Sequence, residues 1–304
     1  MDDSEVYLTD VTGRDGFQME KDWIETEDKL LILQGIFNAG IKRIEATSFV
    51  SSKSIPQLKD AKEVVGNLKN EEITVAALVP NVKGAENALE SGVDEINFVL
   101  SISETHNRKN VNHTVRESLE EVYSIQKLIN SPQTVLNVSL GTTFGCPFEG
   151  KYNVSKVCSI MEQLINNGID KVTLADTTGM ANPKKIRHYI TTLKEVFPHV
   201  QLSLHLHNTR GMGLVNLLAG YKAGVRHFDA SLGGIGGCPF APGATGNVCL
   251  EDIVHMFMEM EIPIEHSINL QKLINTSKKL ERILGYQLAG QVMKAGTAGE
   301  VIKN

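Results

Sequence analysis

Residues 201–231, QLSLHLHNTRGMGLVNLLAGYKAGVRHFDAS, contain the pattern that decides the fold. A short apolar run from Gln201 to His207 is followed by an amphipathic stretch from Met212 to Ala223 and by a second apolar run from His227 to Ser231. This order predicts a strand, a helix and a parallel strand. Gly224, directly after the helical stretch, is the residue type expected at a left-handed helix cap. The segment is therefore one βα repeat that leads into the next strand.

The same alternation recurs along the chain. The strand-like runs are Val6–Val11, Arg43–Thr47, Ile73–Val79, Glu95–Leu100, Val135–Leu140, Lys171–Ala175, Gln201–His207 and His227–Ser231. Helical stretches lie at Thr26–Ala39, Ile55–Leu68, Ala85–Ser91, Val115–Asn130, Ser155–Asn166, Pro183–Phe197, Met212–Ala223, Leu250–Met260 and Leu270–Leu284. Eight βα units predict an α/β fold of the TIM (β/α)8 barrel type. No Gly-x-Gly-x-x-Gly follows the first strand, which argues against a Rossmann fold.

Length and composition agree with one domain. The chain has 304 residues, of which 41% are hydrophobic and 22% charged, and α/β barrels of about 250 residues or more form single domains. We predict one catalytic domain over residues 1–304, with the barrel at about 6–260 and a C-terminal helical extension at about 261–304. We expect the Gly/Ala-rich tail to lie against the barrel rim or a partner subunit.

Charge and hydropathy argue against several kinds of partner. The 30 basic and 36 acidic residues give a net charge of −6 without long runs of either sign, so we expect no nucleic-acid partner. No apolar stretch approaches the roughly 20 residues that span a bilayer, and the acidic start is unlike a targeting sequence. We therefore expect a cytoplasmic protein with no membrane partner. The four cysteines lack metal-finger spacing and are expected to be free thiols.

Reactive residue types fall where a TIM barrel places its active site, at the carboxyl ends of the strands. They are Arg14, Asp15 and Gln18 after the first strand, Glu45 and Ser48 at the second, Asp176 at the sixth, His205 and His207 at the seventh, and Cys238 and Asn247 after the eighth. The His-x-His spacing places both imidazoles on one face of a strand. With a carboxylate and an amide oxygen, they form a ligand set suited to Mg²⁺ or Mn²⁺. The alternative interpretation is two histidines that merely line the barrel.

Two cysteines occur in the same Gly-Cys-Pro-Phe context. Cys238 lies in the glycine-rich segment LGGIGGCPFAPGATGN (232–247), which suits a closing active-site loop whose thiol transfers a proton. An ordinary flexible loop with an incidental thiol is the alternative. Cys146 lies in the less glycine-rich FGCPF (144–148), and we interpret it as a half-buried structural thiol. Cys158 and Cys249 fall in helical patterns and are predicted to be packing residues.

Five segments resemble the 3-hydroxy-3-methylglutaryl-CoA (HMG-CoA) lyases. They are GRDGFQMEK (13–21), IEATSFVSSKSIPQLKD (44–60), FGCPFEGK (144–151), HLHNTRG (205–211) and GGCPFAPGATGN (236–247), and the resemblance runs from about residue 6 to residue 284. It implies a metal-dependent lyase that acts as a homodimer in leucine degradation and cleaves an acyl-CoA thioester, HMG-CoA, to acetyl-CoA and acetoacetate. The implied residues are the metal ligands Asp15, His205, His207 and Asn247, the substrate contact Arg14, and the catalytic group Cys238, with Arg14, Glu45, Asp176 and His205. Gln18, Ser48 and Thr173, from their positions around the barrel mouth, are further predicted substrate contacts.

The resemblance also implies an order of events. His205, or a group to which it relays, removes the proton of the C3 hydroxyl, the C2–C3 bond breaks, Arg14 stabilises the enolate oxygen and Cys238 protonates the enolate carbon. The basic groups of the loop His106–Lys109, with Lys21 and Lys53, are candidate contacts for the CoA phosphates.

Four departures from the family pattern lie near these motifs. Asn208 stands where the lyases usually have Asp, Gly13 replaces a usual proline, Phe17 a leucine and Ala175 a glycine. They leave open a related substrate, such as citramalyl-CoA or a longer branched analogue. A Claisen-type synthase shares the Arg-Asp and His-x-His elements but differs in the Cys238 loop. A non-catalytic barrel disagrees with the intact ligand set.

Overall fold

Eight parallel strands close into a barrel in a computed structural model that describes residues 5–69, 72–237 and 245–298. The strands are β1 (Tyr7–Asp10), β2 (Arg43–Ser48), β3 (Thr74–Val79), β4 (Glu95–Ser101), β5 (Val135–Gly141), β6 (Lys171–Asp176), β7 (Gln201–Leu206) and β8 (His227–Ala230). Each strand pairs with its neighbour in sequence, and β8 pairs with β1, which closes the sheet. The predicted TIM barrel is confirmed.

Helices cover the outside of the barrel and extend the chain beyond it. They are α1 (Thr26–Asn38), α2 (Ala61–Leu68), α3 (Val82–Glu90), α4 (Glu104–Val111), α5 (Val115–Leu128), α6 (Val154–Ile165), α7 (Pro183–Val196), α8 (Gly213–Lys222), α9 (Leu250–Glu259), α10 (Leu270–Leu284) and α11 (Val292–Ala295). Gly224, after α8, has φ +94° and forms the predicted left-handed cap. No helix in the described ranges is long and apolar enough to cross a membrane.

Helix α4 replaces a segment that the sequence predicted to be a loop. Its residues show no apolar periodicity, so the signal for a helix was missing. The helix is instead fixed at its start, because the Ser103 side chain accepts a hydrogen bond from the backbone N–H of His106 at 3.0 Å. His106 and Asn107 are buried. Burial argues against a contact between His106 and the CoA phosphates, and leaves Arg108 and Lys109 as the candidate basic groups of this segment.

The C-terminal extension packs on the barrel. Helix α10 lies against α1, where the backbone N–H of Asn269 donates to the carbonyl oxygen of Ala39 at 2.7 Å. Farther on, the N–H of Ala289 donates to the carbonyl oxygen of Gly233 at 3.0 Å. The tail thus contacts the segment that follows β8, which is one edge of the candidate site.

The barrel interior is polar above its floor. Asn97 on β4 accepts hydrogen bonds at Oδ1 from Asn137 Nδ2 at 3.0 Å and from Ser139 Oγ at 2.8 Å. Asn137 Nδ2 also donates to Thr173 Oγ1 at 3.0 Å. Since buried polar groups are stable only when they are paired, this network makes a rigid platform beneath the carboxyl ends of the strands.

Candidate active site

The segment after β1 carries Arg14 and Asp15 into the barrel mouth. Residues 12–16 form a π-helical turn and are all buried. A Cβ atom on Gly13 would lie 2.4 Å from the carbonyl oxygen of Ala46, so the turn rests directly on the end of β2. Gly13 is therefore required by the close approach of the two segments in this chain.

This approach pairs Arg14 with two carboxylates. Arg14 Nε donates to Glu45 Oε2 at 2.6 Å, and Nη1 donates to Asp15 Oδ1 at 2.5 Å. Asn97 Nδ2 holds the other oxygen of Glu45 at 2.7 Å. The guanidinium is thereby fixed in one orientation, and charge-assisted bonds of this kind are stronger than neutral ones.

The four predicted metal ligands lie together. One ligand atom each from Asp15, His205 and His207 falls within a 4.8 Å cluster. The two histidine Nε2 atoms are 3.0 Å apart, and His207 Nε2 is 3.9 Å from Asp15 Oδ2. Asn247 Nδ2 donates to Asp15 Oδ2 at 2.7 Å. Strand β7 and the segments after β1 and β8 therefore converge on one point.

The donor atoms fit a divalent cation. Asn247 Oδ1 is buried and has no hydrogen-bond partner in the described part of the chain, which is costly unless another group uses its lone pairs. The Nε2 atoms of His205 and His207, which are 3.0 Å apart beside the Asp15 carboxylate, likewise direct their lone pairs toward one point. Asp15, His205, His207 and Asn247 supply the mixed nitrogen and oxygen set that Mg²⁺ and Mn²⁺ accept.

The surroundings of Asp15 and His207 favour the protonation states that bind a metal ion, a charged carboxylate and a neutral imidazole. Although burial disfavours a charged carboxylate, Arg14 and the two imidazoles lower the pKa of Asp15. Burial and the neighbouring imidazole lower the pKa of His207 to about 4. Burial also disfavours charge on His205, but its hydrogen bond with Asp229 and the charge of Asp15 raise its pKa.

The residues predicted to contact substrate have different surroundings. Ser48 Oγ is buried without a hydrogen-bond partner in the described ranges, as expected of a group that awaits a ligand. Gln18 Nε2 donates to Asp15 Oδ1 at 3.1 Å and supports a metal ligand. Thr173 belongs to the polar network beneath the site. Of these three side chains in the described ranges, Ser48 is the one whose buried polar atom has no hydrogen-bond partner.

Asp176 lies at the end of β6 and organises the segment that follows. Its Oδ1 accepts from the backbone N–H of Met180 at 2.8 Å and of Ala181 at 3.0 Å. Burial raises its pKa to about 6, against the effect of these donors. The structure thus places Asp176 in the wall of the mouth, apart from the Asp15, His205 and His207 cluster.

The family departures differ in their distance from the site. Asn208 Oδ1 accepts from the backbone N–H of Gly213 at 2.9 Å and so caps the start of α8. Phe17 is fully buried in the hydrophobic core. Ala175 is the register partner of His205 on the adjacent strand, so its methyl group faces the same side as that ligand. Ala175 is therefore the departure that borders the reacting centre.

The predicted catalytic thiol Cys238 lies outside the described residues. The residue before it is fixed, because the N–H of Gly237 donates to Asp15 Oδ2 at 3.1 Å. Cys146 is completely buried, which corrects the prediction that it is half-buried, and its sulfur accepts from the N–H of Phe148 at 3.4 Å. Cys146, Cys158 and Cys249 are free thiols, as predicted.

Two functional side chains were missed in the sequence. Asn97 holds Glu45, and Asp229 on β8 holds His205. Both are polar residues inside short, otherwise largely apolar strands. Strand alternation places them on the inner face, so polar residues within the strands were a usable signal besides those at the strand ends.

Comparisons with known proteins agree with this geometry. The sequence profile of a family described as HMGL-like matches residues 5–280. A hydroxymethylglutaryl-CoA lyase of Bacillus subtilis is 41% identical over 284 residues, which are 93% of this chain and 94% of that protein. An (R)-citramalyl-CoA lyase of Chloroflexus aurantiacus is 38% identical and covers 96% of this chain and 95% of its own.

A solved structure of an HMG-CoA lyase is also similar to this chain. An HMG-CoA lyase from A. baumannii, in complex with coenzyme A and 3-methylmalate, is 42% identical and superposes with a TM-score of 0.95. The match covers 100% of this chain and 99% of that one.

Proposed function

The chain belongs to the HMGL-like family, and from that premise we propose that it is a divalent-metal-dependent lyase that cleaves HMG-CoA to acetyl-CoA and acetoacetate. The observation that carries the proposal is the convergence of Asp15, His205 and His207 with the unpartnered Oδ1 of Asn247 at the barrel mouth. The acyl-CoA substrate agrees with the names of the lyase relatives, and leucine degradation is the pathway that we propose for this activity.

The predicted metal ligands indicate which chemistry a bound ion would supply. A divalent cation held by Asp15, His205, His207 and Asn247 would act as a Lewis acid on the C3 hydroxyl of the substrate. Mg²⁺ and Mn²⁺ both suit these donors. His205 has one lone pair to offer at Nε2, because its Nδ1 faces Asp229 at 3.2 Å. The ligand and base roles of His205 therefore compete for a single atom, and we assign it the ligand role, with solvent water as the acceptor of the C3 hydroxyl proton.

Arg14 stabilises the charge that develops when the C2–C3 bond breaks. Its Nε and Nη1 are committed to Glu45 and Asp15, which leaves Nη2 to donate to the thioester oxygen of the enolate. A donor that is already oriented needs no reorganisation during the reaction. Glu45, held by Asn97, acts by fixing the guanidinium.

Cys238 is our candidate for the acid that protonates the enolate carbon. Gly237, the residue before it in the sequence, is hydrogen-bonded to Asp15, which supports this choice. Ser48 is our candidate for binding the polar acyl group, since its Oγ is unpartnered and buried. Asp176 supports the wall of the pocket through its hydrogen bonds to residues 180 and 181.

A related acyl-CoA substrate is the second candidate. The citramalyl-CoA lyase relative is nearly as similar as the HMG-CoA lyase relative, and a Pseudomonas aeruginosa relative acts on both 3-hydroxy-3-isohexenylglutaryl-CoA and HMG-CoA. Ala175 beside His205 is where a difference in pocket volume would arise. A panel of HMG-CoA, citramalyl-CoA and the isohexenyl analogue, assayed on wild type and Ala175→Gly, distinguishes these substrates.

The proposal is tested with purified protein, HMG-CoA and Mg²⁺ or Mn²⁺. We expect acetoacetate and acetyl-CoA in equal amounts, loss of activity with EDTA, and recovery when the metal is restored. Cys238→Ser is expected to lose most turnover while it still binds metal. Cys146→Ser is the matched control, because it changes a buried thiol in the same Gly-Cys-Pro-Phe context. Absence of cleavage with every branched 3-hydroxyacyl-CoA in the panel would refute the function.

A further inference from the structure

Asp229 lies next to the group of side chains formed by Asp15, His205 and His207. It is the register partner of His205 on the neighbouring strand β8, so the two side chains project from the same face of the sheet into the barrel. Asp229 Oδ2 is 3.2 Å from His205 Nδ1. The carboxylate thus contacts the ring nitrogen that points away from the cluster.

This contact decides which nitrogen of His205 is available. A carboxylate accepts a hydrogen bond, so Nδ1 carries the proton and Nε2 keeps a lone pair. Nε2 is the atom that lies 3.0 Å from His207 Nε2, inside the cluster. The ring is therefore held by its rear atom in the orientation that points its lone pair at the ion.

The two histidines differ in this respect. His207 Nδ1 is buried and has no hydrogen-bond partner in the described ranges. His205 is thus the imidazole whose orientation is set by a carboxylate on another strand. Its position should depend on Asp229 far more than the position of His207 depends on any one side chain.

Asp229 is itself surrounded by charged and polar side chains. A small cavity of about 20 Å³ below it is lined by Arg43, Glu95, Lys171 and His227, and a cavity of this size holds roughly one water molecule. Glu95 forms ion pairs with Arg43 and Lys171 at the barrel floor. This surrounding supplies positive charge that compensates the partly buried carboxylate of Asp229.

We propose that Asp229 is a positioning residue that holds His205 as a metal ligand and thereby sets the affinity of the site for its divalent ion. In this role Asp229 acts through His205. Carboxylates behind ligating histidines typically contribute about 10- to 100-fold to metal affinity. The inference rests on the proposed function only in requiring that the cluster binds a divalent ion.

The test measures Mn²⁺ binding to the metal-free protein, by calorimetry and by the paramagnetic resonance signal of free Mn²⁺. Asp229→Ala is expected to weaken binding by about 10- to 100-fold. Asp229→Asn is expected to weaken it less, because an amide oxygen can still accept from Nδ1. In the lyase assay, the Mn²⁺ concentration for half-maximal rate should rise in parallel, while the rate at saturating Mn²⁺ changes much less.

Glu95→Gln is the matched control. It removes a carboxylate from the same cavity without touching a ligand, so wild-type Mn²⁺ affinity is expected. Equal Mn²⁺ affinity in wild type, Asp229→Asn and Asp229→Ala would overturn the inference, as would equal weakening by Glu95→Gln and Asp229→Asn. If Asp229→Ala fails to fold, Asp229→Asn with a wild-type thermal melt carries the comparison. If wild type itself binds no Mn²⁺, the proposed metal-dependent function fails, and the two failures are thereby distinguished.

Discussion

Arg14→Lys tests whether the shape of the guanidinium, and not its charge alone, is required. The substitution keeps the positive charge, but an ammonium group at the end of a flexible chain cannot bond Glu45 Oε2 and Asp15 Oδ1 while also presenting an oriented third donor. Loss of one oriented transition-state donor costs about 3–4 kcal/mol, so kcat should fall about 100- to 1,000-fold. The KM should change much less, because the interaction develops with the enolate charge.

Stability should change modestly in the same variant. One charge-assisted bond in the buried group is lost while the charge balance is kept, for a cost of about 1–2 kcal/mol and a few degrees in melting temperature. The assay follows acetoacetate release with saturating metal, and a thermal melt confirms folding. Arg116→Lys, at an exposed arginine paired with Glu120 on α5, is the control and should leave kcat unchanged. A folded Arg14→Lys protein with kcat within about threefold of wild type, under 1 kcal/mol, would refute the reasoning.

Four further outcomes are expected. Removing metal with EDTA should lower the melting temperature, and added Mn²⁺ should restore it, since a ligand that binds only the folded state stabilises it; an unchanged melt would contradict a built metal site. Burial raises the pKa of Asp10 to about 7, so the native state binds more protons than the unfolded state between about pH 4 and 7, and wild-type stability falls as the pH rises through that window. Asp10→Asn should therefore gain stability relative to wild type at pH 8 and not at pH 4, and melts showing the same difference at both would contradict this. Asn208→Asp should keep the substrate profile, because either side chain accepts from the N–H of Gly213; a changed acyl preference in the substrate panel would show that residue 208 reaches the pocket. Gly246→Ala should abolish turnover, because its Cβ would lie 2.1 Å from the carbonyl oxygen of Gly234, whereas Gly168→Ala, also at positive φ but in open space, should keep it.

Much of the fold followed from local pattern. The period of apolar residues and the capping glycines identified eight βα units, and the barrel closes as expected. Helix α4 did not follow, because a polar helix fixed by the Ser103 cap leaves no amphipathic signal. The same holds for the π-helical turn at residues 12–16, whose form depends on contact with Ala46 on another strand.

The candidate site, too, could be predicted only in part. Residues at strand ends could be predicted, since the barrel brings those ends together whatever the loops do. Asp229 and Asn97 could not be placed behind His205 and Glu45 without the register of neighbouring strands. The side chain of Asn208 could not be placed for a related reason, because its proximity in sequence to His207 did not reveal that it accepts a hydrogen bond at the start of α8. Its effect on the substrate stays a prediction. The predicted homodimer stays a prediction, which light scattering on the purified protein would test.

The Oδ2 atom of Asp15 accepts from both Gly237 N and Asn247 Nδ2, which flank the segment 238–244. That oxygen also faces His207, so an ion held by Asp15 and His207 would lie next to the acceptor that Gly237 and Asn247 share. If one arrangement of Gly237 and Asn247 binds the ion more tightly, then the bound ion stabilises that arrangement by the same free energy, because coupling free energies are reciprocal. Metal affinity in this enzyme is therefore a property that substitutions in the glycine-rich segment can alter without touching a ligand.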